Sequence, residues 1–166
     1  MGFWVKSIAG WTSVCTKGCA ILAVAISLGS APQTTQAQTQ ISYTPEPLVV
    51  RIDRGCLLRE RLREIGQLRK QSRPVEIRGA ICFSTCTMFL GLPNTCISPD
   101  TTFGFHGPSS YGRPLDPATF NRASKVIATH YPEPLKQWYM DEGRFKIRSI
   151  SRVKGANIIK MGVPAC

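Results

Sequence analysis

Apolar and polar residues follow either a strand period or a helix period through most of the chain. Leu48–Ile52 is a short β-branched run, which is typical of a buried strand. In Leu57–Lys70 the apolar residues recur every three or four positions and predict an amphipathic helix, which Ser72–Pro74 ends. Val75–Gly79 alternates and predicts a second strand. A strand, a helix and a strand with short joints predict a parallel pair with a right-handed crossover.

The rest of the chain is predicted to add short strands and helices to this unit. The expected order is a short helix at Ser84–Gly91, strands at Thr95–Ser98 and Thr102–Phe105, a loop at Gly107–Pro114, a helix from Pro117 to about His130 capped by Asp116, a short helix to about Asp141, and a helix near Val153–Met161 with Ser151 as its cap. Together these elements predict a single α/β domain over residues 47–166.

The first 37 residues have the pattern of a secretory signal peptide. Lys6 and Lys17 are the only charges there, and they precede the apolar run Cys19–Leu28, which is short for a membrane span. Small residues favour cleavage after Ala37. We therefore expect export to the periplasm, with residues 38–46 as an extended linker. An uncleaved N-terminal anchor that faces the periplasm is the alternative.

Cysteine content and charge add to this picture. Of seven cysteines, the predicted cleavage leaves Cys56, Cys82, Cys86, Cys96 and Cys166. Disulfides persist in an oxidising compartment, and an odd number of cysteines leaves one thiol free. No metal site or other cofactor is expected, because the chain has only two histidines and neither lies in a metal-like pair. The net charge of +11 is spread without long basic runs, which favours a solvated basic surface over nucleic-acid binding.

A serine and a histidine lie where predicted strands end. Ser84 stands where a strand gives way to a helix, so its hydroxyl can attack a carbonyl carbon while the next N–H group binds the oxyanion. His106 follows the strand Thr102–Phe105. Two parallel strands that end at one edge bring both residues to one crevice. Ser84 as a simple helix cap and His106 as a core histidine are the alternative interpretations.

These segments resemble the Clp protease/crotonase superfamily, and more closely the small exported Clp-protease-like proteins of Gram-negative bacteria. The turn Asp53–Cys56, the segment Gly79–Thr87 and the segment Gly104–His106 carry the resemblance by their order and spacing. The resemblance covers about residues 47–166. It implies a stack of ββα units around a parallel sheet, in a single domain.

The resemblance also implies roles for individual residues. Ser84 is the nucleophile, His106 is the base, and the N–H groups of Cys56 and Thr85 form the oxyanion hole. Two positions depart from the family pattern: Cys56 replaces a second glycine, and no acidic residue stands at Ser149–Ser151, where the family's aspartate falls. We therefore expect slow hydrolysis of activated esters or short peptides at best.

Four cysteines belong to the family-like pattern: Cys82, Cys86, Cys96 and Cys166. Two disulfides among them are expected, with Cys56 free. Cysteines four residues apart on a helix have side chains that run alongside each other, which disfavours a Cys82–Cys86 bond. Cys86–Cys96 with Cys82–Cys166 is the pairing expected first, and the swapped pairing is expected second. Either would clamp the C-terminus to the site.

Three functions are compatible with these observations. The first is an exported serine hydrolase, peptidase-like, which acts on a peptide or ester substrate. The second is a catalytically inactive descendant of the same fold that serves as a binding or assembly module for an envelope protein, with a homo-oligomer as a further option. A crotonase-type acyl-thioester enzyme is disfavoured, because coenzyme A is cytoplasmic and that core does not rely on a serine–histidine pair.

Overall fold

A computed structural model describes residues 45–166, so the predicted signal peptide and most of the predicted linker at residues 38–46 lie outside the described residues. The first described elements are strand β1 (Leu48–Asp53), helix α1 (Leu58–Lys70) and strand β2 (Val75–Phe83). Helix α1 connects the two strands. β1 and β2 are parallel, as predicted. β2 continues past its predicted end and leads directly into a 3₁₀ helix.

Strand β2 is the centre of a five-stranded sheet. Its first half pairs in parallel with β3 (Thr95–Ile97), and its second half pairs in parallel with β4 (Thr102–Phe105). β5 (Ser151–Lys154) lies antiparallel to β4 and forms an outer edge of the sheet. The predicted α/β class with a mainly parallel sheet is therefore confirmed for the part of the chain that the structure describes.

The prediction for the C-terminal region is wrong. Ser151 is the first residue of β5 and not a helix cap, and helix α4 (Gly155–Ile159) is much shorter than the predicted helix. Half-buried and exposed residues alternate along Ser151–Lys154, which suits a strand beside the otherwise unpaired edge of β4. The sequence of this segment alone does not reveal that edge.

An aromatic cluster anchors the end of β4 to the later helices, α2 (Pro117–Ala128) and α3 (Glu133–Asp141). The Phe105 ring meets the rings of Tyr131 and Trp138 edge-on, each with centroids 5.5 Å apart. These rings are largely removed from solvent and belong to the core or pack against it. The cluster fixes the position of His106, the residue that follows Phe105.

Two disulfides join Cys82 to Cys86 and Cys96 to Cys166, with Cα atoms 5.3 Å and 4.9 Å apart, and Cys56 is free and exposed. The expected pairings, Cys86–Cys96 with Cys82–Cys166 and their swap, are wrong. A Cys82–Cys86 bond is disfavoured only where both residues lie on one continuous helix, whereas Cys82 lies in a strand and the chain turns sharply at Ser84 (φ +58°).

The disulfides are consistent with an oxidising compartment. The long-range bond ties the C-terminus to β3 rather than to the predicted site, because Cys96 lies in β3. The Cys166 N–H also donates to Ile97 O in that strand. Within residues 45–166, no helix is both long and apolar enough to cross a membrane.

Candidate active site

Ser84 and His106 meet where β2 and β4 end. In the parallel ladder Phe83 lies opposite Gly104, so the residues that follow reach the same edge of the sheet. Ser84 Oγ lies 2.8 Å from His106 Nε2. Phe83, not Ser84, is the N-cap of the 3₁₀ helix Ser84–Gly91, and no side chain caps that helix. A serine hydroxyl this close to an imidazole nitrogen can transfer its proton to it.

The backbone of Ser84 is left-handed, and a glycine packs against it. A φ of +58° is uncommon for a residue with a Cβ, and such strained residues cluster at functional sites. Gly55, in the turn after β1, has a φ of +90°. A Cβ on Gly55 would lie 2.6 Å from Ser84 Cβ and 3.0 Å from Ser84 Oγ. Glycine is therefore the residue that fits beside the serine.

The Thr87 hydroxyl holds the Ser84 carbonyl, and the Tyr131 hydroxyl in turn holds Thr87. Thr87 Oγ1 donates to Ser84 O at 2.7 Å, and it lies 2.7 Å from the Tyr131 hydroxyl. Because the Thr87 proton is used on the carbonyl, the Tyr131 hydroxyl is the donor to Thr87. Burial raises the pKa of Tyr131, so this hydroxyl keeps its proton.

One buried arginine secures the glycine turn. Gly55 N–H donates to Asp53 Oδ1 at 2.7 Å, and Asp53 Oδ2 accepts from Arg61 at 2.6 Å. The Arg61 side chain is only 5% exposed and also donates to Glu64. Its guanidinium lies 4.3 Å from the centre of the Phe89 ring in the 3₁₀ helix. Arg61 thus links α1, the turn and the 3₁₀ helix.

The two predicted oxyanion donors, the N–H groups of Cys56 and Thr85, are not equally available. Cys56 N–H donates to Thr85 Oγ1 at 2.9 Å, and the Thr85 hydroxyl donates to Cys56 O at 3.0 Å. Thr85 N–H lies in the first turn of the 3₁₀ helix, where N–H groups have no partner within the helix. Cys56 does not have a positive φ, so its backbone accommodates a Cβ.

A backbone carbonyl orients His106. Nδ1 lies 2.8 Å from Gly107 O, which can only accept, so Nδ1 carries the proton and Nε2 is left to accept the proton of Ser84. Tyr139 also donates to His106 O at 3.3 Å. In residues 45–166, no carboxylate is among the hydrogen-bond partners of His106.

The segment where the resemblance places an aspartate does run beside the histidine. Arg148, Ser149 and Ile150 line a groove that His106 also lines. Ser151 pairs with Phe105 in the sheet. The segment therefore reaches the site, but with a basic side chain and without an acidic one.

A cavity of about 440 Å³ opens in front of Ser84 and His106. Such a volume lies in the range of small-molecule binding sites. No lysine, arginine, aspartate or glutamate lines it. Its apolar walls come from both the α1 side and the α2 side of the site and include Leu57, Leu58, Leu115, Ala123 and Ile127.

Some residues of the site were not singled out from the sequence. Neither Tyr139 nor the Thr85 hydroxyl had a predicted role in the site. The burial of Arg61 could have been predicted from the sequence, because the helix spacing places this residue on the apolar face of α1 between Leu58 and Ile65. A charged residue on such a face needs a buried partner.

No protein-family model matches this chain, and no curated protein matches it significantly. The resemblance to the Clp protease/crotonase superfamily stays a prediction that depends on motif order and spacing. The described residues contain no group of three His, Cys, Asp or Glu side chains that could hold a metal ion.

Proposed function

We propose that this protein is a serine hydrolase in which Ser84 is the nucleophile and His106 is the general base. The observation that carries the proposal is the 2.8 Å contact between Ser84 Oγ and His106 Nε2. The cavity in front of this contact and the left-handed backbone of Ser84 support it. A serine that only caps a helix needs neither of these features.

The proposed reaction uses these groups in turn. Ser84 Oγ attacks the carbonyl carbon of an ester or peptide, and its proton passes to His106 Nε2. The Thr85 N–H stabilises the oxyanion, and the Cys56 N–H joins it when the Thr85 side chain turns away. His106 then protonates the leaving oxygen or nitrogen as its bond to carbon breaks. Water, deprotonated by His106, releases the acyl group as an acid and restores Ser84.

Slow turnover is part of the proposal. Gly107 O orients His106, but a neutral carbonyl stabilises the imidazolium less than a carboxylate does. Loss of the acid from such a triad can lower turnover by about 10⁴-fold. Activated esters and short peptides are therefore the expected substrates.

We further propose that the fold is that of the Clp protease/crotonase superfamily and that the protein works in the periplasm. The parallel β1–α1–β2 unit and a nucleophile at the end of β2 support the fold. Two disulfides support an oxidising compartment, and the pattern of residues 1–37 supports export by a signal peptide.

A fluorophosphonate probe tests the proposal on the full-length gene product purified from its host. We expect labelling of the wild type, with the added mass on the peptide that contains Ser84. Ser84→Ala should abolish labelling, and His106→Ala should slow it strongly. Ser72→Ala is the matched control, because Ser72 is an exposed serine that also has a positive φ but lines neither the cavity nor the groove at His106. This control should label like the wild type.

The competing function is a binding or assembly module without catalysis. Two observations favour this module. Among the described residues no acidic side chain is hydrogen-bonded to His106, and the Cys56 N–H already donates to Thr85. If the folded, oxidised wild type is never labelled, the hydrolase proposal fails. The binding module then becomes the better account.

A further inference from the structure

Two concave regions meet at His106. The apolar cavity of about 440 Å³ is lined by both Ser84 and His106. A second groove of about 550 Å³ is lined by His106 but not by Ser84. In a serine hydrolase the histidine protonates the leaving group, so the leaving part of the substrate lies on the histidine side. The second groove is therefore the leaving-group side of the site.

The two regions differ in charge. The cavity beside Ser84 has no lining residue with a permanent charge, and leucine, alanine and isoleucine form much of its wall. The groove beyond His106 contains Arg148, which is exposed. The ion pairs found in residues 45–166 use Arg61, Arg78 and Lys136 as their cations, so Arg148 has no carboxylate partner there.

The segment of the chain that contains Arg148 has a net positive charge. From Gly143 to Cys166 the sequence contains no acidic residue. Six basic residues lie in this stretch: Arg144, Lys146, Arg148, Arg152, Lys154 and Lys160. Arg152 and Lys154 are exposed on the edge strand β5, which continues directly from the groove. An anion that enters the groove meets the Arg148 side chain, and residues 143–166 supply no acidic side chain that would offset its charge.

We infer that the substrate has an apolar acyl part and an anionic leaving part, and that Arg148 binds the anionic part. This inference rests on the proposed hydrolase function. The apolar acyl part fills the cavity bounded by Leu115 and Ile127, where it leaves water. The guanidinium group of Arg148 offers several N–H donors to a carboxylate on the leaving part. Arg148 is thus a specificity residue that does not act on the reacting atoms.

Two matched aryl esters test this inference: para-butanoyloxybenzoate, whose leaving phenol carries a carboxylate, and para-butanoyloxybenzamide, whose leaving phenol is neutral. The measured quantity is the ratio of their kcat/KM values, divided by the ratio of their uncatalysed rates in the same buffer. This division removes the intrinsic difference in reactivity. We expect the wild type to prefer the anionic ester about 5-fold, and the preference to fall as added salt screens the charges.

Variants of Arg148 should change this ratio and little else. Arg148→Ala should remove the preference, a change of about 5-fold, and Arg148→Glu should reverse it, whereas Arg148→Lys should retain most of it. Lys160→Glu is the control, because it changes the net charge as Arg148→Glu does but lines neither region. Each variant should melt close to the wild-type temperature.

The outcomes separate this inference from the function on which it rests. If all variants hydrolyse the neutral ester and are labelled by the fluorophosphonate, yet the ratio is unchanged in Arg148→Ala and Arg148→Glu, the inference is wrong and the hydrolase stands. If Lys160→Glu changes the ratio as much as Arg148→Glu, the effect comes from overall charge and the inference is also wrong. If the wild type is neither labelled nor active on either ester, both proposals fail.

Discussion

Ser84 depends on a neighbour without a side chain. Gly55 occupies a left-handed conformation, and its Cα faces the Cβ and hydroxyl of the serine. An added methyl group meets both backbone strain and a steric clash at the same residue. The nucleophile and the glycine turn can therefore be tested together by one substitution.

Gly55→Ala should abolish fluorophosphonate labelling and lower the free energy of unfolding by about 2 kcal/mol, because the new Cβ displaces Ser84 and is strained at a positive φ. Labelling and urea unfolding of the oxidised protein measure the two effects. Gly66→Ala is the matched control, since a Cβ on Gly66 meets no atom within 4 Å and its φ is not positive. It should retain labelling and gain about 1 kcal/mol from helix propensity. Wild-type behaviour of Gly55→Ala would show that the turn does not position the serine.

At the scale of elements, Arg61 holds three segments together. Its guanidinium is buried between Asp53, Glu64 and the Phe89 ring, so its loss leaves a partly buried carboxylate without its cation. The same loss frees the turn that carries Gly55. Stability and the candidate site thus share this one side chain.

Arg61→Met should lower the free energy of unfolding by about 3 kcal/mol, because one member of a buried ion pair is removed. Urea unfolding measures this change. Arg78→Met removes a cation of the same kind from the more exposed pair with Glu76, and it should cost less than about 1 kcal/mol. Equal losses in the two variants would contradict the structural role given to Arg61.

The elements that the sequence predicted are those set by local patterns. β1, α1, β2 and the helix that Asp116 caps each have a clear period or a capping signal within a few residues, and Asp116 does accept from Thr119 N–H. β5 was missed because its strand conformation depends on β4, far away along the chain. Local spacing does not encode that partner.

The candidate site also has parts that the sequence predicted and parts that it did not. Ser84 and His106 were found because reactive residue types stood at the ends of predicted parallel strands. The mutual hydrogen bonds of Thr85 and Cys56 depend on a side-chain rotamer and on the contact of two turns, neither of which has a sequence period. The Cys82–Cys86 bond was rejected because the left-handed turn at Ser84 was not anticipated.

At the scale of the whole molecule, one buried histidine couples stability to pH. His130 is 6% exposed, and its Nδ1 lies 3.0 Å from Val126 O. Burial lowers the pKa of His130 below its ordinary value of 6.5, with the positive charge of Arg69 as a smaller cause. Between the lowered pKa of the folded protein and the ordinary value of the unfolded chain, the unfolded chain binds a proton that the folded chain does not, so stability falls as the pH falls through this range.

The wild type should therefore lose stability between about pH 7 and pH 5 relative to His130→Gln, by at most about 1.4 kcal/mol per pH unit for one proton. Urea unfolding midpoints across this range, measured for both proteins, provide the comparison. Parallel pH profiles for the two proteins would show that His130 titrates alike in the folded and unfolded states.

The two disulfides close loops that neither overlap nor nest. Cys82 and Cys86 are four residues apart, whereas Cys96 and Cys166 are 70 residues apart. Closing the short loop in the oxidising compartment costs less chain entropy than closing a loop that reaches back to Cys56. Cys96 and Cys166 form the long loop, and Cys56 stays outside both loops. Because the two loops are independent, reduction of one disulfide leaves the loop of the other closed.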